Sequence, residues 1–312
     1  MKRVLGPIVL ALLSVLLTVA CSQGTTPTPP APTATSIPKP TPVALFPLSV
    51  TDSNGKTVVF TKPPERIVAI DTATVEILFL LGEGRRVVGT HDFVSYPPET
   101  KDIAKLGGAF ALNFEKMVAL QPDLVYIFFD RFLPDIQKLG VPVLYLKSPA
   151  TLSEVADRIR LLGKVVGKPD QGEKLAQDFL GAIKSAQDKV AGVKEGPRLY
   201  HDASPDWWTS GTGSLTSEIF AILKAKNIFD DISGYKQVTP EQIVARDPQV
   251  IVSVHSDGPS RIKAEVALQG LTAVKEGKIL FVDPDLLSVP GPRLVQGIQQ
   301  VAQFLYPDLF PR

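Results

Sequence analysis

Cysteine is nearly absent: Cys21 is the only one in 312 residues. No disulfide can close within the chain and no cysteine-based metal cluster can form, which excludes disulfide scaffolds and zinc ribbons. Charge of a prevailing sign is missing too. Lys and Arg total 33 against 32 Asp and Glu, for a net charge of +1, and no basic run offers nucleic acid a stripe to bind. The sequence has no G-x-S-x-G elbow, no P-loop, no H-E-x-x-H pair and no G-x-G-x-x-G turn, so the usual constellations of hydrolases, nucleotide enzymes and metalloproteases are missing. A dense apolar run occurs at Ile8 to Val19, too short for the ~20 residues of a spanning helix.

With Met1-Lys2-Arg3 before it, that run reads as a secretory signal. Its end, Leu17-Thr18-Val19-Ala20-Cys21, resembles a bacterial lipobox, with Thr18 where leucine is usual. The resemblance implies cleavage after residue 20 and lipidation of Cys21, making 1–21 a lipoprotein signal peptide. Residues 22–47 are rich in Thr and Pro and poor in charge and aromatics. Such a segment cannot bury a core and is expected to be a disordered, semi-extended spacer.

Folded sequence is expected from Leu48. Leu48 to Val50 and Thr57 to Phe60 flank the turn Asp52-Ser53-Asn54-Gly55, a hairpin signal. From Pro63 to Phe93 the chain reads strand, helix, strand. Arg66 to Ile70 is short and apolar, Thr74 to Leu81 is helical and stopped by Gly82 and Gly84, and Arg86 to Gly89 is again extended. Thr90-His91-Asp92-Phe93 follows where a parallel strand ends, and in open α/β sheets ligands gather outside such ends. Strands are expected at Leu124 to Phe129 and Pro142 to Leu146. The segment 151–196 has only helical spacing, including a helix from Asp170 through Ala191 of about 33 Å. Strand character resumes at Arg198 and recurs at Val250 to Val254 and Ile279 to Val282, before a closing helix at Leu294 to Leu305.

The two ends of this pattern echo each other. NFEKMVALQPDLV from Asn113 and TPEQIVARDPQVI from Thr239 align without a gap, matching Glu115 with Glu241, Ala119 with Ala245 and Pro122 with Pro248. A looser echo sets Glu76-Ile77 beside Glu218-Ile219. The expected fold class is therefore α/β: two α/β lobes, 48–150 and 197–312, joined by a long rigid helix in the helical connector 151–196, with a ligand cleft between them.

The strings PPERIVAIDTATVEILFLLGEGRRVVGTHDFVSYPPE, KLGG, NFEKMVALQPDLVY, LGVPVLYL, TPEQIVARDPQVIV and FVDPDLLSVPGPRLVQG carry a family resemblance. The chain from Leu48 to Pro307 resembles periplasmic substrate-binding proteins of the helical-backbone type (class III), which serve ABC importers of ferric siderophores, haem and cobalamin. The resemblance implies a non-catalytic lipoprotein, monomeric and anchored to the outer face of the cytoplasmic membrane. It would take a small-molecule metal chelate from outside and pass it to a permease dimer, with no nucleic-acid partner and no resident cofactor. It also implies that Glu76 in TVEIL and Glu218 in TSEIF dock into arginine pockets of the permease.

Candidate ligand-facing residues lie after strand ends: His91, Phe93, Tyr96, Gly108, Phe129 and Asp130 in the first lobe, and Trp207, Trp208, His255 and Arg293 in the second. Flat aromatic walls suit a corrin, porphyrin or catecholate ligand, and Arg293 suits its carboxylates or phosphate. Strand alternation directs one of Trp207 and Trp208 inward and the other outward. His91, His201 and His255 stand in or just after strands; a bare-metal site, a single axial ligand to haem or corrin, and purely structural roles all remain open. Gly211-Thr212-Gly213-Ser214 is expected to be the turn that starts the Glu218 helix rather than a phosphate loop. Two other readings remain: an exported enzyme using the same cleft, and a signalling or adhesion lipoprotein that works without a permease.

Overall fold

A computed structural model describes residues 44–311 except 109. The expected signal peptide, Cys21 and most of the spacer lie outside the described residues. Among those described, no helix is long and apolar enough to cross a membrane.

A hairpin of β1 (Leu48–Thr51) and β2 (Thr57–Phe60) precedes the first lobe. The lobe then runs β3 (Ile67–Ile70), α1 (Thr72–Leu80), β4 (Val87–Thr90), β5 (Ala104–Lys105), the small ribbon β6 (Gly107–Gly108) and β7 (Ala111–Leu112), α2 (Phe114–Ala119), β8 (Leu124–Ile127), α3 (Leu133–Lys138) and β9 (Val143–Tyr145). Its five-stranded sheet has the order β5-β4-β3-β8-β9, all parallel. Two helices follow, α4 (Leu152–Val165) and α5 (Pro169–Lys189). The second lobe contains β10 (Arg198–Asp202), β11 (Trp208–Ser210), α6 (Leu215–Ile222), β12 (Lys226–Asn227), β13 (Tyr235–Gln237), α7 (Pro240–Arg246), β14 (Val250–Ser253), α8 (Gly258–Ala264), α9 (Thr272–Lys275), β15 (Ile279–Phe281), α10 (Pro284–Leu287) and α11 (Leu294–Leu305). Its parallel sheet is ordered β12-β10-β14-β15, while β11 and β13 form a separate antiparallel pair.

The sequence echo extends to individual hydrogen bonds. Asn113 caps α2 by accepting from the Lys116 N–H, and Thr239 caps α7 in a reciprocal box with Gln242. Each helix is followed by a residue with positive φ, Gln121 at 47° and Asp247 at 37°. In each case an arginine at the entrance of the lobe's central strand donates to the carbonyls there, Arg66 to Leu120 and Gln121, Arg198 to Asp247. The next side chain is matched too. Asp123 accepts from the Arg66 N–H and Gln249 from the Arg198 N–H. One local solution for turning a helix into a buried parallel strand is thus used twice.

Strand alternation sorts the core into shared and private parts. Ile67, Ala69, Tyr126, Leu199, Val250 and Val252 join one apolar cluster that also contains Val155, Ile159 and Leu162 of α4 and Leu294 and Ile298 of α11. The opposite faces close separate clusters, Val68, Ile70, Val125 and Ile127 in one lobe and Tyr200, Ile251 and Ile262 in the other. Each sheet therefore gives one face to its own lobe and the other to a core running through the connector. The connector is a pair of helices, the second the longer, divided at Gly167-Lys168, and α4 touches both α1 and α6. Its two helices meet glycine to glycine: a Cβ on Gly163 would lie 2.7 Å from the Gly172 Cα, and one on Gly172 would lie 2.9 Å from the Gly163 Cα. No side chain fits that crossing without separating the helices. Gly172→Ala is expected to cost about 1–3 kcal/mol, read as a lower urea midpoint with an unchanged slope.

Candidate functional site

α1 starts the site. Asp71, immediately after β3, caps the helix by accepting from the Thr74 N–H (2.9 Å) and hydroxyl (2.6 Å). The helix is buried on nearly every side, Ala73 through Leu78 included. Glu76, its one charged residue, is 1% exposed. Arg293, just before α11, donates from Nε to Glu76 Oε1 (2.8 Å), and its Nη2 lies 2.6 Å from the same oxygen as an ion pair. Nη2 also reaches Asp285 at 3.3 Å, and the guanidinium lies 3.9 Å from the Tyr96 ring centroid. Burial drives the Glu76 carboxyl up to about 7; Arg293 pulls it down, and Asp285 and Asp71 push it further up.

These contacts correct two sequence expectations. Glu76 does not present its carboxylate to a partner at the surface, and Arg293 is not free for a ligand, because each is the other's counter-charge. Glu218 is half-buried and accepts from the Leu152 N–H at 2.8 Å, holding the first turn of α4. Carboxylates are favourable at that end of a helix.

Around the carboxyl ends of the first sheet, Phe93 is 70% exposed and Phe110 is 81% exposed. Tyr96 is exposed beside them in sequence. His91 is half-buried, its Nδ1 accepts from the Phe93 N–H at 3.1 Å, and burial lowers its pKa, which favours the neutral ring. Gly108 does not offer open backbone, because the Phe93 ring already covers it: a Cβ there would lie 3.2 Å from that ring. Phe129 is half-buried, packed against the lobe's private core and edge-on to Phe128 and Phe132. Asp130 is exposed, and its carbonyl accepts from the Leu133 N–H as the chain enters α3.

In the second lobe the tryptophans divide, although Trp207 precedes β11 and its left-handed backbone takes it out of strand alternation. Trp207, at φ 62°, packs against the private core under Arg261, whose guanidinium is 4.7 Å from its ring centroid. Trp208 on β11 is 42% exposed. Arg261 is committed to the fully buried Asp202 (2.6 and 2.7 Å), which also accepts from the Ser253 hydroxyl. His255 is half-buried, with Nε2 3.1 Å from the Ala203 carbonyl, so its ring ties two loops together. His201 is buried against Phe220, pairs with the Ser210 hydroxyl at 2.8 Å, and has its pKa pushed down to about 3 by burial. The three histidines thus hold separate local contacts. Among the described residues no group of three or more His, Cys, Asp or Glu side chains is arranged to hold a metal ion.

Sequence reasoning overlooked Tyr235 and Phe110. Tyr235 on β13 is 45% exposed; its hydroxyl pairs with Thr216 at 2.9 Å, and its ring stands 6.5 Å from that of His201. The signal for Tyr235 was the short extended run before Pro240, which pairs antiparallel with β11 and sets Tyr235 opposite Ser210, while Trp208 is opposite Gln237. Phe110 stood two residues past the glycine pair that drew attention instead. The two lobes accordingly expose Phe93, Tyr96 and Phe110 on one side and Trp208 and Tyr235 on the other. A separate hollow of about 590 Å³ lies at the opposite ends of the second lobe's strands, among Arg198, Lys226 and Lys278. Its cations already pair with Asp247, Glu195 and Glu276, so it offers no free charge to an anion.

Residues 67–286 match the model of a family described as periplasmic binding protein. An uncharacterized ABC transporter substrate-binding lipoprotein of Bacillus subtilis, YvrC, is 29% identical over 85% of this chain and 88% of its own length. The periplasmic vitamin B12 binding protein BtuF of Vibrio cholerae superposes with a TM-score of 0.69 at 28% identity, covering 78% of this chain and 98% of that one. The periplasmic heme-binding protein RhuT of Roseiflexus sp. RS-1 superposes with a TM-score of 0.71 at 26% identity, covering 78% and 99%.

The raised pKa of Glu76 sets a sign for stability against pH. Folded Glu76 binds its proton more tightly than an unfolded glutamate near 4.5, so its contribution is fully present below that value and is lost as pH rises through about 7. The loss amounts to about 3 kcal/mol. Glu76→Gln, neutral throughout, is expected to remove this slope, read from urea unfolding of both proteins at about pH 5 and about pH 8.

Proposed function

The chain belongs to the periplasmic binding protein family, and from that premise we propose that it captures an iron–siderophore, a cobalamin-like corrinoid or haem between its lobes for delivery to a membrane permease. Its role as the substrate-binding component of an ABC transporter, without catalysis, agrees with its relatives. The reading of ligand class is carried by one observation. Both lobes expose aromatic rings outside their parallel sheets, Phe93, Tyr96 and Phe110 in the stretch after β4 of the first and Trp208 and Tyr235 on the β11–β13 ribbon of the second. Rings bury large area at low entropy cost and stack on flat conjugated ligands. Relatives that bind vitamin B12 and haem have the same fold, which supports that class.

Arg293 is engaged with Glu76, but Arg131 stands exposed 5.4 Å from the Phe110 ring centroid, so a cation beside the exposed rings is available to an acidic ligand. In the contact with the permease, half-exposed Glu218 keeps one carboxylate oxygen beyond its bond to Leu152, whereas Glu76 is held by Arg293. Export follows from the relatives, and we assign the lipid anchor to Cys21.

Titration of the purified protein with cyanocobalamin, haemin and a ferric catecholate is expected to shift the visible bands of one of them and quench tryptophan emission. Trp208→Ala should weaken that binding by on the order of tenfold, the worth of one stacked ring. A protein that leaves all three spectra unchanged contradicts the reading. For the anchor, metabolic labelling with a fatty acid should mark the wild-type chain and not Cys21→Ser, and the variant should leave the membrane fraction.

A further inference from the structure

Glu76 and Arg293 are 217 residues apart in sequence. Among the described residues, theirs is the one ion pair or hydrogen bond that runs directly between the lobe of β3–β9 and the lobe of β10–β15. Other polar links between the two halves pass through the connector, as Glu218 does at the start of α4. The pair is also enclosed. Gly291 seats the backbone of the second lobe's 288–293 turn on α1, where a Cβ would come within 3.1 Å of Glu76 Oε2 and 3.2 Å of the Ala73 Cβ. The outer face of the guanidinium carries Tyr96, one of the exposed rings of the first lobe.

We propose that Glu76 and Arg293 are positioning residues that latch the second lobe to α1, setting the aperture between the lobes and holding the Tyr96 ring at its rim. The geometry gives each atom a part. Nε donates to Oε1 and Nη2 lies within ion-pair distance of the same oxygen, which sets the edge of the guanidinium against the carboxylate. The face of the guanidinium is the surface on which Tyr96 rests. Opening the lobes separates Arg293 from both Glu76 and Tyr96, leaving a carboxylate in an apolar helix without its counter-charge, so the closed arrangement is favoured until the whole contact gives way. Asp285 stays with Arg293 on the second lobe and gives the guanidinium a partner after separation. The inference concerns the protein without ligand and does not depend on which chelate it binds.

The test is the distance between spin labels on Glu99→Cys and Ser256→Cys, both exposed near the rims of opposite lobes, in the full chain carrying Cys21→Ser. A narrow distribution is expected without the latch substitutions. Arg293→Ala and Glu76→Ala should each lengthen and broaden it, and the double variant should go no further than either single one, because the two side chains act as a unit. Arg293→Lys keeps the charge but loses the fork and should fall between. A distribution unchanged in Arg293→Ala, with native circular dichroism, overturns the proposal. If the alanine variants do not fold, Arg293→Lys decides: broadening supports the latch and an unchanged distribution overturns it. Because no ligand is present, failure here is distinct from failure of the chelate titration.

Discussion

A carboxylate buried inside an apolar helix is the constraint on which the arrangement turns. α1 is enclosed by its own sheet, by α4 and by the 288–293 turn, and Glu76 sits in its middle. Removing an ion from water costs several kcal/mol unless a well-placed counter-ion answers it. The answer comes from Arg293, near the end of the chain. The last helix of the second lobe must therefore return to the first helix of the first, and the lobes are held in one relation by the need to neutralise one charge.

The remaining rigidity is apolar. One face of each sheet feeds a single core through α4, while the other face closes a private one. Motion between lobes must either break packing in the shared core or rotate about it. The Gly163–Gly172 crossing keeps α4 and α5 at backbone contact, so the connector moves as a pair. Such a connector favours a small change of aperture over a wide hinge, which suits a site built on stacked rings. Aromatic rings lose little conformational entropy on binding and need only a few ångströms of approach.

Much of this was legible in the sequence. The βαβ unit from Pro63 to Phe93, the helical segment between the lobes and the echo of Asn113 with Thr239 all depend on periodicity, caps and breakers, which act within a few residues. The echo extended to structure because capping and the left-handed residue after each helix are local too. Trp207 and Trp208 do part, but through the left-handed backbone at Trp207 before β11 rather than through the strand alternation expected of them. At Gly108 the glycine leaves room that the Phe93 ring takes up, a neighbour no local pattern could name.

By itself, then, the sequence determined two α/β halves, a helical connector, the exclusion of the familiar catalytic motifs, and a set of aromatics after strand ends. Each follows from forces that act along the chain: hydrophobic period, turn chemistry and residue type. The tertiary structure alone decided which charges meet. Glu76 and Arg293 carry no mark of each other across 217 positions, and their pairing arises only when two separately formed lobes pack. A glutamate that the sequence presents as a surface prong is a buried counter-charge because burial, unlike helix formation, is set by what the rest of the chain places over it.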